Sequence, residues 1–170
     1  MISRDYMKTM AAYNQWQNGS LYGAAGQLSD EERRADRGAF FGSIHATLSH
    51  LLWGDKIWLS RFGAGGEARQ KSIADSVAEG ADWDEMVRER EAVDQQIIDW
   101  ASRFDEAALS EDLSWYSGAM GREVSKPLGL LITHFFNHQT HHRGQVHAML
   151  TAAGGRPDDT DLPFRPEAED

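Results

Sequence analysis

A chain of 170 residues is long enough for one sizeable core and short for two, so a single domain over residues 1–170 is expected. Its 17 basic and 27 acidic residues leave a net charge of −10, a field that repels phosphate backbones and anionic lipid heads and argues against nucleic acid as a partner. With no cysteine, any metal must be held by nitrogen and oxygen, and the lack of an apolar signal segment or membrane-length apolar run fits a cytoplasmic protein.

Tyr6, Met10, Tyr13, Leu21 and Leu28 recur at the three-and-four spacing of a buried helix face and predict a first helix over about residues 4–28, with Ser29 and Asp30 as a cap or turn. A second stripe, Phe40, Ile44, Leu48, Leu51, Asp55, Trp58 and Phe62, predicts a helix that stops at the GAGG of residues 63–66. The third runs from Trp83 to Phe104 through Met86, Val93, Ile97 and Trp100. Arg90 interrupts its apolar face and is expected to snorkel or to meet a buried acid. Residues 113–125, LSWYSGAMGREVS, read as a short hairpin or an ordered loop. Pro127 suits the first turn of a fourth helix that runs to Ala153 and stops at Gly154 and Gly155. The tail, about residues 155–170, holds three of the four prolines and should be extended, with Leu162 and Phe164 docking on the bundle.

Five of the seven histidines fall in HFFNHQTHHRGQVHAML, residues 134–150. With His134 at zero on a helix, His138 lies near ~40°, His142 near ~80°, His141 near ~−20° and Gln145 near ~20°, while His147 points away. An i, i+4 pair of imidazoles can hold one ion, and two such pairs exist, His134 with His138 and His138 with His142, so spacing alone does not choose. Position 139 is Gln, so the glutamate base of an HExxH site is absent. A third ligand must come from another helix. His50 suits it, at the margin of the second stripe with small Ala46 and Gly54 one turn away on either side, whereas His45 looks more peripheral. Asp55 could ligate, orient a histidine or pair with Arg90, and the structural role is favoured. Arg143 faces away from the histidine face, which suggests a salt bridge or an interface. Gly144 suggests close helix packing, and Gln145 suggests a hydrogen bond to bound water or substrate. Trp16, Trp53 and Trp58 read as core, with one of them able to wall a pocket.

AAYNQWQNGSLY, GAFFGSIHATLSHLLWGDKIWLSRF and HFFNHQTHHRGQVHAML, in this order over most of the chain, resemble the DinB family. The resemblance implies an all-α, up-down-down-up four-helix bundle, often a homodimer. A divalent metal ion would be held by one histidine of the second helix and an HxxxH pair of the last. These positions fall on His50, His138 and His142, with His134 and His141 as neighbours that do not ligate. The long connection from Gly63 to about Asp82 agrees, because parallel neighbours need a crossover.

The function expected is that of a metal-dependent enzyme, a transferase or hydrolase acting on a small molecule. Three neutral imidazoles leave the ion its full charge and an open position, which would activate water or a low-molecular-weight thiol. The thiol and the S-transferase-like chemistry come from the resemblance alone. Zinc, nickel, iron or manganese would each suit such a site. The alternative is a non-catalytic stress-response protein that binds a structural metal or a ligand. A DNA-binding role conflicts with the charge.

Overall fold

The computed structural model describes residues 2–66 and 68–166. Helix α1, Arg4–Gly26, starts where Ser3 accepts from the Tyr6 amide. A short α2, Asp30–Arg34, carries a capping box between Ser29 and Glu32. Helix α3, Ile44–Arg61, is capped by Ser43, and α4, Trp83–Arg103, is capped by Asp82. Strands β1, Asp112–Ser117, and β2, Arg122–Pro127, form an antiparallel hairpin with Trp115 opposite Val124, and α5, Leu128–Ala152, follows. The sheet reading of residues 113–125 therefore holds. Gly121, at φ 63°, closes the hairpin turn, a conformation that favours glycine.

Helix α1 packs against α4 and α5, and α3 packs against the same two, so the four long helices form a ring around one core. Met7, Leu48, Leu52, Leu59, Met86, Ile97, Ile132, Phe135, Phe136 and Leu150 fill it. A second, polar layer crosses the interior. Arg90 Nη1 donates to Asp55 Oδ2 at 2.6 Å, and its Nη2 lies 3.0 Å from Asp94 Oδ1. Asn18 and Asn14 donate to that same Asp94 oxygen, Gln139 Nε2 donates to Asp55 Oδ1 at 2.6 Å, and Arg143 donates to Asn14. Arg90 thus meets two buried acids rather than snorkelling, and Asp55 takes the structural role.

The crossover between α3 and α4 is anchored rather than loose. Buried Glu79 accepts from Lys56 Nζ at 2.8 Å and from the amides of Gln70 and Arg69. Ser49 Oγ donates to the Ser76 carbonyl at 3.0 Å and accepts from the Gly80 amide at 2.9 Å. These bonds hold the crossover against the flank of α3.

Several expectations are corrected. Phe40 is not on a helix. It lies in a turn bridged by Ala39 and Gly42, is 80% exposed, and precedes the Ser43 cap that starts α3. Pro127 is the N-cap of α5 and the last residue of β2, one step earlier than a first-turn position. Leu162 and Phe164 do not dock, since both remain exposed. The tail is held by its backbone instead: Tyr13 Oη donates to the Thr160 carbonyl at 2.6 Å, Gln17 donates to the Asp159 carbonyl at 2.8 Å, and the Asp158 amide donates to Ser20. Residues 167–170 of the expected tail lie outside the described residues. A Cβ at Gly144 would meet nothing within 4 Å, so this glycine does not serve close packing.

Candidate metal centre

Helices α3 and α5 meet so that one nitrogen each of His50, His138 and His142 lies within 4.8 Å of the others. His50 Nε2 is 3.2 Å from His138 Nε2. Nitrogens that share one tetrahedral ion at 2.0–2.1 Å sit about 3.3 Å apart, so this edge already has the spacing an ion requires. The ring centroids of His142 lie 4.6 Å from His138 and 4.8 Å from His50. The donor set is all nitrogen, and among the described residues no carboxylate belongs to the cluster. The residues present therefore fit a divalent ion.

Two side chains fix which nitrogens face inward. Ser76 Oγ spends its single proton on the Ile73 carbonyl at 2.6 Å, so it must accept from His50 Nδ1, 2.7 Å away. His50 Nε2 then carries the lone pair. Gln145 Oε1 accepts from His142 Nδ1 at 2.7 Å, which leaves the His142 Nε2 lone pair free in the same way. Gln145 therefore orients a histidine, where a contact with bound water or substrate was expected. Glycine at 54 makes room for the third ring: a Cβ there would lie 3.1 Å from His138 Cε1. The small residue beside His50 thus serves His138.

Burial sets the charge state. It depresses His138 to about 3, helped by His142, His50, His134 and His141, and it depresses His50 to about 4, helped by His142. His142 is lowered by burial too, against the opposing pull of the Gln145 hydrogen bond. All three imidazoles are neutral at pH 7, the form in which histidine binds metal. Phe41 stacks on His50 at 4.0 Å and 28° and tilts against His142 at 5.5 Å, covering one side of the cluster. Trp53, with its indole donated to the Gln70 carbonyl, borders His50 at 5.6 Å.

The remaining candidates do not belong to this set of converging nitrogens. His134 is exposed and sits edge-on to Trp58 at 5.3 Å, so the structure gathers the 138/142 pair and leaves out the 134/138 alternative. His141 is exposed against the outer side of His142. His45 is buried, not peripheral, and its Nε2 meets the Gly80 carbonyl at 2.7 Å. Arg143 faces away from the cluster as expected. It is buried over the Tyr13 ring and bonded to Asn14, with no salt bridge among the described residues. Ser76 was missed. It lies in the aperiodic KSIADSVAEG crossover, where no spacing rule marks a partner for a histidine 26 residues away.

The DinB family model matches residues 1–170. Protein DinB of Bacillus subtilis (strain 168) is 27% identical over 160 residues, covering 88% of this chain and 87% of the relative. A crystal structure of a DinB-like protein from Bacillus cereus superposes with a TM-score of 0.53 at 17% identity, over 85% of this chain and 90% of that one, a likeness in fold.

Proposed function

The chain belongs to the DinB family, and from that premise we propose that it binds one divalent metal ion through His50, His138 and His142 and is a metal-dependent enzyme acting on a small molecule. The observation that carries this reading is the convergence of three neutral imidazole nitrogens within 4.8 Å, two of them aimed by Ser76 and Gln145. When bound, the ion would supply Lewis-acid activation of water or of a low-molecular-weight thiol at an open position.

The chain's own residues account for the rest. His50, His138 and His142 donate lone pairs without first losing protons, because burial keeps them neutral. Phe41 and Trp53 exclude water from the His50 side. Among the described residues no carboxylate joins the cluster and position 139 is Gln, so proton abstraction by a glutamate of the HExxH kind has no counterpart there, which favours direct activation of the nucleophile. The reading includes the up-down-down-up order of the long helices, supported by the anchored crossover between α3 and α4, and a homodimer.

A set of low-molecular-weight thiols paired with a chromogenic electrophile tests the enzymatic part. Turnover that needs both the metal-loaded protein and a thiol supports a transferase, and turnover with water alone supports a hydrolase. A second reading, a metal that only joins α3 to α5, draws on the burial of His50 and His142 beneath Phe41. It predicts that stripping the metal lowers stability while no substrate is turned over.

A further inference from the structure

Residues 37–42 form a built turn. The Arg37 amide donates to the Gly42 carbonyl and the Gly42 amide to the Ala39 carbonyl, both at 2.8 Å, while Gly38 and Gly42 take φ of 72° and 79°. The turn sets two phenyl rings side by side. Phe41 packs on His50, and Phe40 stands edge-on to Phe41 at 4.8 Å and 86° with 80% of its surface in solvent. Ile73, whose carbonyl fixes the Ser76 hydroxyl, is also 48% exposed. Large apolar side chains held out in water beside a cluster of donor nitrogens commonly mark binding surfaces.

We infer that the Phe40–Phe41 turn is the specificity wall of the three-histidine site and receives an apolar, preferentially aromatic, substituent of the small molecule bound there. The inference rests on the reading of that site as a metal centre. The occupant follows from continuity: Phe41 packs on the His50 ring at 4.0 Å and Phe40 on Phe41 at 4.8 Å, so the turn extends the apolar edge of the histidine site outward, where a ring carried by a ligand held at the histidines would pack.

Benzohydroxamate and acetohydroxamate share a metal-chelating head and differ by a phenyl ring against a methyl group. Calorimetric affinities of both for the zinc-loaded protein test the wall without reference to turnover, alongside Phe40→Ala and Phe40→Leu, with zinc content measured in each sample. Burying one ring face predicts about ten-fold tighter binding of benzohydroxamate to the native protein. The ratio should fall to within about three-fold in Phe40→Ala and be largely restored in Phe40→Leu. A ratio that is the same in native and Phe40→Ala proteins, with zinc bound in both, overturns this inference alone. A chain that takes up no zinc overturns the proposed function and this inference with it.

Discussion

Ser76 Oγ accepts from His50 Nδ1 at 2.7 Å, a bond from the α3–α4 crossover to a histidine in the middle of α3. Because that hydroxyl donates to the Ile73 carbonyl, it leaves His50 only one tautomer, with Nε2 facing His138 and His142. Ser76→Ala should weaken zinc affinity by about ten-fold to a hundred-fold with little change in helix content, measured by competition with a chromogenic chelator. Unchanged affinity would mean that His50 is oriented by packing alone.

Gly54 occupies the space His138 needs. A Cβ at this position would press on Cε1 from 3.1 Å, closer than ordinary contact. Gly54→Ala should displace the ring and lower metal affinity about ten-fold, on the general expectation that small shifts in ligand geometry are felt at a metal. The metal-free protein should lose less than about 1 kcal/mol, because alanine also favours the helix.

Acid should destabilise the metal-free protein through these histidines. In the unfolded chain His50 and His138 take up protons near their ordinary 6.5, but in the folded protein burial delays this to about 4 and about 3. Above pH 6.5 the two contribute nothing; as pH falls below it, the unfolded state binds the extra protons and stability declines. Asp94 works in the opposite direction, because burial raises it to about 6 despite Arg90, so that near pH 5 the folded state binds more of its proton. The two histidines outweigh it. Urea midpoints between pH 7.5 and 4.5 should fall, and a His50→Gln/His138→Gln variant should lose about 2 kcal/mol less between pH 7 and 5 once solvent screening is allowed for.

Asp55 joins Arg90 and Gln139 in the buried polar layer. Asp55→Ala leaves a buried guanidinium with one acid in place of two and the Gln139 amide without its partner. Urea denaturation should show a loss of roughly 3 to 5 kcal/mol, while zinc stoichiometry in the folded protein remains that of the native chain. Loss of zinc without loss of stability would instead assign Asp55 to the metal centre.

What the sequence disclosed follows the physics of each feature. Helical faces show as periodicity, so α1, α4 and α5 were legible to within a few residues, as was the directional histidine face. The choice of His138 with His142 over His134 with His138 came from the resemblance, since both pairs share one spacing. The polar layer was largely hidden. Asn14, Gln17, Asn18 and Gln139 look like surface residues until helix packing buries them with Asp94, Asp55 or the tail. Phe40 extends the stripe of α3 numerically, yet the two left-handed glycines and the Ser43 cap turn the chain before the helix begins. Backbone carbonyls dock the tail, and carbonyls leave no mark in a sequence.

The central claim is that His50, His138 and His142 hold one metal ion. Elemental mass spectrometry on untagged protein, beside a His50/His138/His142 triple-alanine variant, tests it most directly. The account predicts roughly one ion per native chain and none in the variant. A native protein that is metal-free and cannot be reloaded, or a variant that retains a stoichiometric ion, would contradict it.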